Sequence, residues 1–286
     1  MNYRKIEEYF FKLLMSGSLG FILLLFLIMI SVVTIRGIEA INISMLTETP
    51  KGGYYLGKEG GIANAIAGSL YLAFGSTIIC IFLSLPVAFA LQKEYSGKYI
   101  SSFTRLILDI LWGIPSIVYG AFGFIIMTYM GIRTSLFGGI FVLTILILPI
   151  MTRSIDEIIK LVPVELKETS CAMGATRFET TVFVIAKQIF PGIITGIMLA
   201  FGRAIGDAAS ILFTTGYSDY IPRSIFDSAG SLPLAIFFQL STPYPEVQQR
   251  AYASALVLLF IVSFVSIASR MLSKRVSRNI IRGREV

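Results

Sequence analysis

Two ionisable side chains stand inside an otherwise apolar run. Arg203 and Asp207 lie within Ile189–Phe213, IFPGIITGIMLAFGRAIGDAASILF. As a helix this run is about 38 Å long, enough to cross a hydrocarbon core of about 30 Å. A spacing of four predicts that both residues share one helical face near the middle of a span. A charge within the bilayer costs roughly 3 kcal/mol or more, so such a face looks onto protein or a water-filled path. That makes Arg203 and Asp207 the first functional candidates. The alternative is an internal salt bridge that neutralises itself and locks helix packing. Arg153 is a second candidate: it follows Pro149 at the end of another apolar run. It reads either as a pathway cation or as an anchor at the membrane edge. Asp109 reads as a structural carboxylate, with Arg105 at i−4 as its expected partner. Bond-making chemistry has little to work with here. Histidine is absent, which removes the commonest metal ligand and general base. Cys80 and Cys171 fall in a span and in a polar segment, giving neither a disulfide framework nor a zinc site. No nucleophile–base pair, metal cluster or cofactor motif stands out, and the sequence is read as requiring no cofactor and performing no catalysis of its own.

The elements that must position these residues are mostly membrane spans. The 286 residues are 55% hydrophobic and only 14% charged, with mean hydropathy +0.80, whereas a soluble domain carries roughly 25% charge. Six spans are expected, at about 19–35, 66–91, 106–130, 136–151, 189–213 and 251–272, giving an all-α polytopic membrane protein. The first run resembles a signal-peptide core, but no small-residue cleavage site follows it and Arg36 stops it, so it reads as a retained span. The expected division is residues 1–62 as a first span and external loop, 63–275 as the core, and 276–286 as a basic cytoplasmic tail. The external loop is turn-rich, with Pro50, Gly52, Gly53, Gly57, Gly60 and Gly61. Residues 164–178 read as a short amphipathic helix that Gly174 ends. Leu232–Leu240 is apolar but too short to cross, which fits a re-entrant or interfacial segment. Of the 24 Lys and Arg residues, this topology puts 17 on the side of the termini and 6 on the other, with Arg203 between. Positive charge marks the cytoplasmic side, so both termini and the 164–178 helix are expected there. The net charge of +7 is thereby placed by topology and does not call for nucleic acid; lipid is the surrounding partner. Gly192 and Gly196, and Gly202 and Gly206, are spaced for close helix approach.

A cytoplasmic helix with charged and apolar surfaces suits docking in a groove on a cytosolic partner, or lying on lipid headgroups. A resemblance bears on this choice. E-T-S-x-x-x-G, formed by Glu168, Thr169, Ser170 and Gly174, resembles the EAA loop of binding-protein-dependent ABC importer permeases. That pattern is E-A-A-x-x-x-G, nine residues, then I-x-L-P. Val184 stands at the isoleucine position, while Ala186 and Lys187 replace Leu-Pro. The stretches Gly60 to Leu72, Gly113 to Gly120 (GIPSIVYG), Gly202 to Ala209 (GRAIGDAA) and Leu232 to Gln239 (LPLAIFFQ) are similar to the phosphate permease subfamily, and the last favours its A-type subunit. The resemblance covers nearly the whole chain from Gly60 onward. It implies the type I importer permease fold, a second (C-type) permease subunit, a cytoplasmic ATPase dimer, and an external phosphate-binding protein. It also implies that Glu168, Thr169, Ser170 and Gly174 belong to the helix docking on the ATPase. The sequence has no G-x-x-x-x-G-K-[ST] phosphate loop, consistent with a motor supplied by a partner. For the implied oxyanion cargo, an arginine fork is a fitting ligand, and a nearby carboxylate would temper it so that the ion leaves again. Where the family usually has G-E-T, this chain has G-D-A, with a shorter acid at Asp207 and no hydroxyl at Ala208. Expected function is therefore ATP-coupled phosphate import. The rivals are another oxyanion, such as sulfate or molybdate, and an ion-coupled secondary transporter. Against the latter stand the single docking helix and the absence of obvious inverted repeats.

Overall fold

A computed structural model describes residues 3–51 and 59–277. Within them the regular structure is helical apart from one two-residue antiparallel ladder, β1 (Pro50–Lys51) with β2 (Glu59–Gly60), and residues 207–231 between two of the helices form turns and irregular backbone. The expected turn residues Gly52, Gly53 and Gly57, and the tail from residue 278, lie outside the described residues.

The helices follow from apolar length and from their caps. α1 (Tyr3–Ile38) is long and apolar, and within it only Gly37 is buried. Its outward side chains suit lipid. A methyl at Gly37 would press on the Tyr252 carbonyl at 2.7 Å, so this glycine is where α1 crosses the last helix. α2 (Ile43–Thr47) is capped by Asn42, whose side chain accepts from the Met45 amide at 2.6 Å. α3 (Ala63–Ala90) and α6 (Leu136–Lys160) are the most closely associated pair. Their sequences explain why. α3 buries the small stripe Ser76, Cys80, Ser84 and Ala88, and α6 buries the bulky stripe Ile147, Met151, Ile155 and Ile159. Both stripes repeat every four residues, so a flat small face meets a bulky one along the contact.

The expected third span is not straight. It is α4 (Lys98–Gly113) and α5 (Ser116–Tyr129), bent by 99° across Ile114 and Pro115. Pro115 lacks an N–H and pushes Ile114 to extended backbone, which ends α4. Among the described residues, five helices are thus long and apolar enough to cross a membrane, or six if this pair counts as one. α6 continues nine residues past the expected end of span four, carrying Arg153 and Lys160 within the helix.

Residues 164–178 are not one helix. α7 (Val164–Ala172) ends before Gly174, which takes φ +91°, a conformation only glycine adopts without strain. α8 (Arg177–Glu179) then starts with a capping box between Thr176 and Glu179. It runs through a π-helical segment, Thr180–Ile185, into α9 (Ala186–Gly206). α10 (Leu232–Leu240) is capped by Ser231 and buries Leu232, Leu234 and Ala235 against α3 and α11 (Pro245–Ser277). The glycine spacing divides in two. Gly192 and Gly196 pack on Ile158 and Ser154 of α6, whereas Gly202 and Gly206 have open space beside them.

Candidate functional site

The fifth apolar run ends earlier than its hydropathy implies. α9 stops at Gly206, and Asp207 adopts an extended conformation with φ −87° and ψ 125°. Arg203 therefore sits in the last helical turn, and Asp207 caps the helix instead of continuing its face. This corrects the expected unbroken helix through both residues. The cause is local. Gly206 weakens the helix, and the Asp207 carboxylate accepts the Ser210 amide at 3.0 Å, an alternative to helical bonding. The two side chains still meet: Arg203 Nη2 is 3.4 Å from Asp207 Oδ1. They are unequal partners. The Asp207 side chain is 6% exposed, the Arg203 side chain 46%. Arg203 lies about 24 Å of helix beyond Lys187, within the span of a hydrocarbon core. An arginine also opposes the negative end of the α9 dipole, where four carbonyls lack helical partners. The result is a guanidinium held at one edge and open at the other, with no side chain at Gly202 or Gly206 to cover it.

Arg153 is differently placed. Its Nε is 2.7 Å from Asp109 Oδ1, and its Nη1 is 3.0 Å from Asp156 Oδ2 and 3.1 Å from Glu157. Asp109 thus pairs with Arg153. The expected partner, Arg105, instead grips Asp156 through two nitrogens at 2.8 and 2.9 Å, and also donates to the Leu91 carbonyl. The reason is facing: α4 lays Arg105 and Asp109 together against α6, so cross-helix partners outcompete the i−4 contact. Lys160 adds a third cation, 3.0 Å from Asp156, and Gln92 a neutral donor at 3.0 Å. Asp156 is fully buried. A buried carboxylate is stable only with such compensation. Sequence reasoning missed Asp156. Its signal was present: an acid in phase with Thr152 and Ile159, flanked by Arg153 and Lys160 at helical spacing. Trp112, Arg153 and Ser154 line one side of a cavity of about 370 Å³, and Thr195 and Leu199 of α9 line the other.

The α7 segment protrudes. None of its residues is buried, and among the described residues Glu168 and Thr169 are exposed. Val164, Met173 and Phe178 present apolar side chains outward. Ser170 meets Thr180 at 2.9 Å, tying α7 to the π-helical segment. Lys167 pairs with Glu94 at 2.9 Å. Burial works to raise the Glu94 carboxyl, but the hydrogen bond and charge of Lys167 outweigh it and hold the group below its ordinary value of 4.5.

A bundle with a protruding helix and a buried helix end fits a membrane transport component, and comparison with known proteins decides the family. Residues 81–278 match the model of the binding-protein-dependent transport system inner membrane component. The chain belongs to this family. It is a multi-pass component of an inner membrane, and a transport subunit rather than an enzyme. Among relatives, the phosphate transport system permease protein PstA of Mycobacterium leprae is 34% identical over 253 residues, 86% of this chain and 83% of that one. PstA 1 of Mycobacterium tuberculosis strain H37Rv is 34% identical over 215 residues, covering 74% and 70%. Solved structures share the fold. The MetNI methionine ABC transporter in an inward-facing conformation gives a TM-score of 0.61 at 19% identity, over 75% of this chain and 95% of that one. A bacterial alginate ABC transporter gives 0.63 at 14% identity, over 97% and 98%.

Proposed function

We propose that the chain is the A-type permease subunit of an ATP-driven importer of inorganic phosphate. It works with a C-type permease subunit, a cytoplasmic ATPase dimer and an external phosphate-binding protein, and both of its termini lie in the cytoplasm. The observation that carries the cargo is the relationship to proteins named phosphate transport permeases, 34% identical over 86% of this chain. Arg203 supports it chemically. An anion entering a low-dielectric path needs a positive partner that stays charged, and an arginine fork matches oxyanion geometry. Asp207, 3.4 Å away, keeps that partner from holding the ion too tightly. Arg153 is spent on three carboxylates. Its part in the path is to hold α4 and α6 beside the cavity more than to hold cargo.

The coupling helix is α7 with Gly174. Exposed Glu168 and Thr169, with Met173 nearby, form a charged and apolar knob suited to a groove on the ATPase. Ser170 faces inward to Thr180 and joins the knob to α9. ATPase closure moves this knob, and α9 carries the motion toward Arg203.

The test is labelled phosphate uptake by proteoliposomes holding the complete complex, with the binding protein outside. Wild type is expected to take up phosphate without inhibition by sulfate or molybdate. Arg203→Gln is expected to lose at least about tenfold while assembly persists, the effect of removing a charged partner worth about 1.5–3 kcal/mol. Inhibition by sulfate or molybdate would move the cargo to another oxyanion. Normal uptake by Arg203→Gln would remove Arg203 from the path.

A further inference from the structure

The α7–α8 segment is attached to the bundle at two places, not one. The first is along the chain: Ser170 meets Thr180 of the π-helical segment, which continues into α9. The second crosses to the turn between α3 and α4, residues 91–97. There Lys167 pairs with the Glu94 carboxylate at 2.9 Å. Arg177 donates to the Glu94 carbonyl at 2.9 Å. The Tyr95 hydroxyl donates to the Arg177 carbonyl at 2.8 Å and lies 2.7 Å from the Thr181 hydroxyl.

The same turn is fixed on its inner side. Gln92 donates to Asp156 at 3.0 Å, and the Leu91 carbonyl accepts from Arg105 at 2.8 Å. Asp156 in turn holds Arg105 of α4 and Arg153 of α6. A short segment thus has the coupling helix on one side and the ion cluster around the fully buried Asp156 on the other.

We propose that Glu94, which meets α7, and Tyr95, which meets α8 and the π-helical segment, are positioning residues for coupling: they carry the displacement of the α7–α8 segment into the Asp156 cluster and move α4 with α6 as one unit. This rests on the reading of α7 as the ATPase-docking helix. Motion then leaves α7 along two arms. One is the π segment and α9, which carries Thr195 and Leu199. The other is the 91–97 turn with α4 and α6, which carry Trp112 and Arg153. The cavity of about 370 Å³ is lined by residues of both arms. A push at α7 that reaches both arms shifts one lining against the other. A push that reaches only α9 bends that helix against a stationary α6. Packed helices transmit small shifts as rigid units, so two short polar contacts are enough to set which units move together.

The test uses the whole complex in proteoliposomes and reads phosphate taken up per ATP hydrolysed, with retention of the ATPase subunits as the assembly measure. Tyr95→Phe removes one hydroxyl and should fold. Glu94→Lys and Lys167→Glu reverse each charge, and the double variant restores the pair in the opposite sense. Expected are a fall of about fivefold in the ratio for Tyr95→Phe and of about tenfold for each reversal, with ATPase retained, and recovery to within about twofold in the double variant. A role confined to stability would lower the amount of complex and leave the ratio unchanged. Should a reversal fail to assemble, Tyr95→Phe and Glu94→Gln decide. An unchanged ratio in assembled Tyr95→Phe and Glu94→Gln complexes, or a double variant no better than its parents, overturns the proposal. Failure of the docking reading looks different: Glu168→Lys complexes would keep both their ATPase and their uptake.

Discussion

Asp156 is the residue on which the most charged groups converge, and its replacement tests what the cluster is worth. Arg105, Arg153 and Lys160 all lie within 3.0 Å of a carboxylate with no solvent exposure. Asp156→Ala removes the carboxylate that Arg105 grips through two nitrogens and leaves Arg153 and Lys160 with only their more exposed acids, Asp109 and Glu157. Removing one partner of a buried pair costs about 3–5 kcal/mol, and the partial exposure of Arg105 and Lys160 places this variant at the low end. Thermal unfolding of the purified chain should show the loss, and a change near zero would mean the cluster is solvated. Arg203→Lys asks a finer question. It keeps the charge and drops the fork, so phosphate uptake should fall less than in Arg203→Gln but remain below wild type. Equal uptake in the Lys variant and wild type would mean that charge alone suffices. At this scale the sequence was legible where a charge stands against its background. Arg203 and Asp207 interrupt an apolar run, and their ion pair was one of the two readings offered, although it forms across a helix end that the spacing does not foretell. The Asp109 partner was not legible, because Arg105 and Arg153 are both at hand and only the cross-helix geometry chooses between them.

Among the elements, the joint between α7 and α8 depends on one glycine. Gly174 has φ +91° and is exposed, with nothing near where a side chain would go. Gly174→Ala therefore costs conformational strain of about 1–2 kcal/mol without a clash. The expected outcome is weaker ATPase retention at unchanged membrane insertion, read by co-purification. Gly68 presents the opposite case. A methyl there would collide with the Gly230 carbonyl, so Gly68→Ala must displace the segment leading into α10. Loss of the folded complex is expected, read as aggregation on gel filtration. The Glu94–Lys167 contact gives a pH dependence with a definite sign. The folded carboxyl titrates below 4.5, so the contact contributes fully above that value and is lost as pH falls through the folded pKa. Hydrogen exchange of α7 amides, corrected for intrinsic rate, should rise as pH drops below about 4.5 in wild type. In Glu94→Gln it should sit at the higher level throughout. The spans were readable from apolar runs, but several boundaries were not, and two show why. Hydropathy continues smoothly from Gly206 into Ala208 and Ala209, while the backbone turns at Asp207 because a side-chain acceptor competes for the Ser210 amide. Likewise an unbroken apolar stretch spans Pro115, where the chain bends by 99°.

For the whole molecule, orientation decides whether α7 can couple at all, because α7 reaches an ATPase only from the cytoplasm. The distribution of Lys and Arg predicts that side, and the two cysteines allow it to be measured. Cys171 is exposed on α7, whereas Cys80 is buried where α3 meets the core. A membrane-impermeant maleimide should therefore label one site, and only from the cytoplasmic face. In inverted vesicles from cells carrying both permease subunits but no ATPase, labelling of Cys171 is expected; in right-side-out vesicles it is not. Adding purified ATPase to the inverted vesicles should then slow the labelling, since Cys171 lies three residues from Glu168 on the same short helix. The combination separates two errors. Labelling from outside would invert the topology and with it the assignment of α7 as a coupling helix. Labelling from inside that the ATPase leaves unchanged would preserve the topology and put the docking surface elsewhere on the cytoplasmic face, away from Cys171.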